Sequence, residues 1–356
     1  MWSLGLVAVE LATGLPLYPG NEDYDVLKFI IETQGQPPDH VLDSGVYTED
    51  YFIEDKDKQQ QAFLGEGGFG IVAKCRDTTT NQAVAIKVNK SDPDILQQAH
   101  VEIFILEQLR RLDPDAANIV QWNGFFHDGQ RVCLKFELLD QCLWDYIGDR
   151  NKQGLPISEV RPILGQITNA LSHLSSVGIV HADLKPGNIM VVNRHESPIK
   201  VKLIDFGLAC PASAVIPGDF VGTVGYCAPE VMLGLPYNEA SDMWSLGLVA
   251  VELATGLPLY PSENDYDYLK FIIETQGQPP DHVLDSGTEE QYKGSVPGTG
   301  HESLETRYII LTRLDDLEQL MILIKQMLAL DAHQRITPSQ VLRHPFFSPE
   351  DVEVKK

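Results

Sequence analysis

The sequence predicts an α+β protein, and three stretches carry that prediction. From about Tyr51 the chain runs in short β-rich pieces, Ile95 to Leu112 has helical periodicity, and an apolar run follows Asn238-Glu239-Ala240-Ser241-Asp242. That run reads as a helix buried nearly all round, the kind found in the middle of a large helical body. With 356 residues, 43% of them hydrophobic, the chain can bury a sizeable core in one large domain or two modest ones. Disorder over the whole length is excluded.

Lys and Arg number 27 against 51 Asp and Glu, a formal charge of −24. Such a surplus of carboxylates repels phosphate backbones and anionic bilayers, so no nucleic-acid or membrane partner is expected and a cationic partner fits better. Cys75, Cys133, Cys142, Cys210 and Cys227 are scattered, with no C-x-x-C and no spacing of a disulfide framework or zinc site. An intracellular, reducing compartment is therefore expected. Met1 to Val9 resembles the apolar part of a signal peptide, but no Lys or Arg precedes it, Glu10 interrupts it, and it is too short to span a bilayer.

A repeat explains that segment better. Residues 1–45 recur at 243–287, with differences only at positions 20, 21, 22 and 26. Two copies so far apart in the chain cannot stack as a solenoid, because stacked repeats must be neighbours to share a core. The first copy is read as a displaced duplicate and not an independent domain. It is either a partial duplication or gene-model artefact, or a regulatory segment whose apolar face packs on the rest of the chain. It carries seven carboxylates and one lysine, net −6 of the −24, so the remainder is still strongly acidic at −18.

Leu64-Gly65-Glu66-Gly67-Gly68-Phe69-Gly70-Ile71-Val72 contains G-x-G-x-x-G-x-V. Glycines let a backbone approach phosphates and offer N–H groups that side chains would otherwise cover. A dinucleotide-binding turn has the same spacing, but a helix should follow it at once, whereas Ile71 to Cys75 continues as a strand. Ala83-Val84-Ala85-Ile86-Lys87-Val88 is an apolar strand carrying one lysine, placed where its ammonium could reach the α- and β-phosphates of a nucleotide. Glu102, on the helical stretch, is either an ion partner that holds Lys87 in place or an exposed helix glutamate.

Further on, His181-Ala182-Asp183-Leu184-Lys185-Pro186-Gly187-Asn188 fits H-x-D-x-x-x-x-N; Asp205-Phe206-Gly207 follows the strand Val201 to Ile204; and Ala228-Pro229-Glu230 comes next. Five ordered motifs at compatible distances leave no room for coincidence. On these residues the chain resembles the eukaryotic protein kinases over roughly 50–347. The resemblance implies a two-lobed protein kinase fold, with a small β-rich N-lobe at about 52–138 and a large, mainly α-helical C-lobe at about 139–347. ATP would lie in the cleft between them, and 348–356 is left as a charged tail.

The resemblance also assigns roles. Asp183 would accept or orient the proton of the substrate hydroxyl, and Lys185 would stabilise the transferring phosphate. Asn188 and Asp205 would hold Mg²⁺. Gly65, Gly67 and Gly70 would cover the phosphates with Lys87 beneath them. Val72, Ala85 and Met190 would sandwich the adenine, Glu137 and Leu139 would offer it backbone hydrogen bonds, and Phe136 would narrow the rear of the pocket. His181 and Phe206 would pack the loops to the core, and Arg335 would pair with Glu230. In the family, a threonine at the place of Thr223 contacts the catalytic aspartate and lysine in enzymes that modify serine or threonine. A transferase acting on Ser/Thr hydroxyls of protein substrates is therefore implied, with dual specificity left open. The alternative is a catalytically silent pseudokinase or scaffold, against which stands the complete set Lys87, Glu102, Asp183, Asn188 and Asp205.

Within the family, His181 to Met190, Phe136, Leu235 to Gly247, Pro258 to Pro261 and Thr275 to Pro279 look most like the homeodomain-interacting protein kinases, which belong with the dual-specificity tyrosine-regulated kinases. Nuclear residence and transcription-related partners would follow from that branch only; the cytoplasm is the other reading. Three positions matter. Ala182 replaces the arginine that grips an activation-loop phosphate in most kinases, and the branch shares this alanine. Phe220 stands where the branch has a self-phosphorylating tyrosine, and Cys227 where it often has an arginine associated with proline after the target residue.

Overall fold

The computed structural model describes residues 62–67, 69–218, 220–261, 264–284 and 318–348, with Ile30 and Val41 besides. The remainder of the 1–45 duplicate and the tail from 349 onward lie outside the described residues. The described residues form two compact units, those up to 99 with 123–138, and 100–122 with those from 139 onward.

The first unit is built on strands β1 (Ala62–Gly67), β2 (Gly70–Arg76), β3 (Ala83–Asn89), β4 (Trp122–Asp128) and β5 (Arg131–Glu137), in the order β1-β2-β3-β5-β4. Side chains alternate across the pleat, and β3 shows it directly. Val84, Ile86 and Val88 are buried with Ile71 and Cys133 in one cluster, while Ala85 and Lys87 turn to the opposite face. Direct cross-strand partners share a face, and Val72 opposes Lys87 as Phe136 opposes Ala85. Val72, Ala85, Lys87 and Phe136 therefore line one side of the sheet. Gly70 has no alternative there, because a β-carbon on it would lie 2.0 Å from the Val88 carbonyl oxygen.

Helix α1 (Pro93–Leu109) starts two residues before the expected Ile95 and ends three before Leu112. Its start is set by Asp92, whose carboxylate accepts from the amides of Asp94 (2.9 Å) and Ile95 (3.3 Å). Residues 100–122 group with the second unit, whereas the resemblance would put them in the N-lobe. The reason is a set of bonds. The Leu203 carbonyl accepts from Val120 N, the Asn118 carbonyl accepts from Leu203 N, Asn169 Nδ2 donates to the Ala116 carbonyl, and the buried Lys202 ammonium meets Asp115 at 2.7 Å.

The second unit is mainly helical: α2 (Leu143–Gly148), α3 (Ile157–Ser176), α4 (Pro229–Met232), α5 (Glu239–Thr255), α6 (Asp265–Gln276), α7 (Asp281–Leu284), α8 (Glu318–Met327) and α9 (Pro338–Val341). Short strands β6 (Gln141–Cys142), β8 (Ile189–Val191) and β9 (Val201–Leu203) form one antiparallel sheet; β7 (Ile179–Val180) and β10 (Cys210–Pro211) form another. Helix α5 packs against both α3 and α8, and every residue from Ser241 to Leu253 is buried. Asn238 caps it, accepting from Ala240 N at 2.9 Å. No helix among the described residues is long and apolar enough to cross a membrane.

One ion pair ties three pieces of this unit together. The Arg335 guanidinium donates to both oxygens of Glu230, at 2.7 and 2.9 Å, and to the carbonyls of Ala240 and Ala329. Ser241 Oγ adds a donor to Glu230 at 2.6 Å. Burial alone would push the Glu230 carboxyl up, but the bonds and charge of Arg335 outweigh it and leave the group below its ordinary value. Removing either partner strands a buried charge, so Arg335→Met or Glu230→Ala is expected to lower unfolding free energy by about 3–5 kcal/mol in urea titration. Because the folded value is depressed, the contribution is full above the ordinary glutamate value of 4.5 and is lost as pH falls below it.

Candidate active site

Asp242, in the first turn of α5, accepts hydrogen bonds from the backbone N–H of His181 (2.8 Å) and of Ala182 (2.9 Å). These bonds hold Ala182 at a left-handed φ of 66°, a conformation costing roughly 1–3 kcal/mol in a non-glycine residue. Burial pushes the Asp242 carboxyl above its ordinary value, and the amides of His181 and Ala182 counter that rise. His181 packs edge-on against Phe206, ring centroids 5.2 Å apart, and its Nε2 lies 2.9 Å from the Ile204 carbonyl oxygen. The loop that leaves β7 is thus fixed at its root.

Beyond this root, Asp183 is surrounded by donors. Lys185 Nζ lies 2.9 Å from Oδ2, Asn188 Nδ2 donates to Oδ2 at 2.9 Å and to the Asp183 carbonyl at 2.8 Å, and Thr223 Oγ1 donates to Oδ1 at 2.6 Å. Lys185 Nζ also donates to Thr223 Oγ1 at 2.7 Å. Three side chains from two stretches of chain therefore close on one carboxylate. Charged partners shorten and strengthen such bonds, so the carboxylate is held in one orientation before any substrate arrives.

Ile204 N donates to the Asn188 carbonyl at 2.9 Å, which places Asp205 just beyond that contact, at φ 58°. Asn188 commits its amide nitrogen to Asp183, so its amide oxygen points elsewhere. That oxygen and the Asp205 carboxylate are hard donors, the set that suits Mg²⁺, a cation that takes its remaining ligands from water and phosphate. Among the described residues no group of three or more His, Cys, Asp and Glu is arranged to hold a metal. Two oxygen donors leave most of an octahedral shell to water and phosphate, so these two residues would suit a cation that arrives with its phosphate ligand.

In the first unit, Gly65 and Gly67 lie on β1, and Gly67 opposes Gly70 across the turn. Lys87 Nζ sits 5.7 Å from the centroid of the Phe69 ring. Glu137 ends β5 opposite Val84, hence on the face away from Lys87. In the second unit, Leu139 is its first residue after the division and is buried, Met190 lies on β8 opposite Cys142 and Lys202, and Glu102 is 2% exposed on α1. The structure thus brings Asp183, Lys185, Asn188 and Thr223 into direct contact and sets Val72, Ala85 and Lys87 on one sheet face.

Two buried carboxylates near the site were not assigned from the sequence. Asp242 clamps the loop root, and Glu252, also on α5, accepts from Tyr226 Oη at 2.5 Å. Their signal was present as acidic side chains inside an otherwise apolar helix, which only a hydrogen-bond partner can justify.

The protein kinase domain matches residues 58–347. The chain belongs to that family. It is similar to homeodomain-interacting protein kinase 2 of Mesocricetus auratus, 38% identical over 323 residues, which are 80% of this chain and 28% of the relative. It is also similar to homeodomain-interacting protein kinase 1 of Caenorhabditis elegans, at 36% over 333 residues and 39% of the relative. Homeodomain-interacting protein kinase 4 of Homo sapiens is 37% identical over 332 residues, 54% of its length. The chain therefore spans between about a quarter and a half of these relatives.

The clamp can be tested without an activity. In Asp242→Asn one acceptor oxygen becomes a donor that faces an N–H, so the amide protons of His181 and Ala182 are expected to exchange at least about tenfold faster than in wild type by hydrogen-exchange mass spectrometry, with α8 unaffected.

Proposed function

We propose that the chain is a serine/threonine protein kinase that moves the γ-phosphate of ATP to Ser/Thr hydroxyls of protein substrates. The observation that carries this reading is Asp183, held by Lys185, Asn188 and Thr223 with its carboxylate fixed and the Lys185 ammonium at hand. Phosphoryl transfer needs positioning and charge neutralisation more than covalent chemistry. Asp183 accepts the proton of the attacking hydroxyl. Lys185, within reach of the same carboxylate, stabilises charge on the phosphoryl oxygens. In the first unit, the glycine-bearing turn and Lys87 serve the phosphates, while Val72 and Ala85 serve the base. Asn188 and Asp205 would hold Mg²⁺, which when bound offsets phosphate charge.

The activation segment is held by means other than a phosphate. Its hydroxyls between Asp205 and Ala228 are Ser213, Thr223 and Tyr226, and the last two are bonded to Asp183 and Glu252. Cys210 and Pro211 pair with β7, Ala212 N donates to the Gly178 carbonyl, and Gly218 N to the Gly234 carbonyl. With Ala182 in place of a gripping arginine and Phe220 44% exposed where a tyrosine would be modified, activity is read as independent of phosphorylation at 208–227. Basic or weakly charged substrates suit the acidic chain. The relatives are named for interacting with homeodomain proteins; transcription-related partners and nuclear residence are proposed for this chain from that likeness alone.

The test is transfer from labelled ATP to a basic generic protein. Asp183→Asn is expected to reduce transfer by roughly 10²–10⁴-fold, and chelating Mg²⁺ to abolish it. Equal transfer by both proteins overturns the assignment. Phosphatase treatment is expected to leave the rate unchanged; its loss overturns the phosphorylation-independent reading.

A further inference from the structure

Cys227 stands immediately before Ala228-Pro229-Glu230 and is 5% exposed. Its carbonyl accepts from Tyr268 Oη at 2.8 Å, and Tyr268 Oη accepts from Trp244 Nε1 at 3.2 Å. The residue is thereby anchored to α5 and α6. Its Sγ lies 3.0 Å from the carbonyl oxygen of Thr223 and 3.4 Å from that of Val221. A thiol has one proton, so it is shared between these two acceptors. Burial holds the thiol up to about 12, with the nearby Asp183 charge adding to the rise, so it stays a protonated donor at neutral pH and is a poor nucleophile.

The backbone that this thiol reaches is the one that carries Thr223. Gly222 sits at φ 91°, where a side chain is strained, and a β-carbon on it would lie 2.7 Å from the Ala182 carbonyl oxygen and 3.3 Å from Cys227 Sγ. The Val221 to Thr223 backbone is therefore closed in by the catalytic loop and by the thiol. From this backbone, Thr223 Oγ1 donates to Asp183 and accepts from Lys185.

We propose that Cys227 is a positioning residue for phosphate transfer, its thiol fixing the Val221 and Thr223 carbonyls so that Thr223 Oγ1 stays between Asp183 and Lys185. The proposal rests on the kinase reading.

Full-length Cys227→Val, which removes the donor at similar volume, is compared with Cys227→Ser, which keeps one, each alone and combined with Thr223→Ala. Cys227→Ala accompanies Cys227→Val so that the comparison does not hang on one substitution, and thermal melting of every variant is followed. Cys227→Val is expected to lower kcat about five- to tenfold, the loss of one hydrogen bond at the site, with KM for ATP unchanged. Cys227→Ser is expected to restore most of that loss, and Cys227→Val to add nothing in the Thr223→Ala background. A wild-type kcat in both Cys227→Val and Cys227→Ala, equal losses in Cys227→Val and Cys227→Ser, or an undiminished loss on top of Thr223→Ala overturns the proposal while the kinase reading stands. Wild-type protein that transfers no phosphate overturns both.

Discussion

The loop that presents Asp183 depends on one buried carboxylate. Asp242 receives the amides of His181 and Ala182, and without an acceptor there both N–H groups would be buried unpaired, at about 1–3 kcal/mol each. The same bonds sustain the left-handed Ala182, and that backbone turn is what directs the next residue, Asp183, toward Lys185, Asn188 and Thr223. A helix that is apolar all round supplies the rigidity: Asp242 cannot drift while Met243, Trp244 and Leu246 are fully enclosed.

Helix α5 carries three kinds of work along its length. At its start Arg335 reaches the Ala240 carbonyl and the carboxylate of Glu230. One turn in, Ser245 Oγ donates to the Tyr226 carbonyl, and further along Glu252 accepts from the Tyr226 hydroxyl. The strand of chain from Thr223 to Glu230 is thus fastened at several points to one helix. Buried polar groups of this kind are costly when half satisfied; here each named oxygen has a donor. These bonds hold the segment in place.

Much of the proposed site is read from spacing. The glycine pattern followed by a strand, the lone lysine on an apolar strand, and the ordered Asp183, Asn188 and Asp205 are local signals, each confined to a few residues whose chemistry has few alternatives. The Glu230–Arg335 pair and the Thr223 contact came through the family resemblance and are formed in the structure. The grouping of residues 100–122 was not legible, because it depends on Asn118, Asn169, Lys202 and Leu203, which are far apart in the chain. The roles of Asp242, Glu252 and the Cys227 thiol were hidden for the same reason.

The sequence by itself determined the family, since a glycine pattern followed by a strand, a lone lysine on an apolar strand and Asp183, Asn188 and Asp205 at fixed spacing are properties of residue type and local order. It also determined the α+β character, because periodicities of two and of about 3.6 residues are written locally. Only the tertiary structure decided which buried carboxylate holds the loop that presents Asp183, which carbonyls the thiol of Cys227 meets, and where the first unit ends. Those outcomes follow from hydrogen bonds between segments tens of residues apart, and such bonds are specified by packing that no single stretch of chain contains.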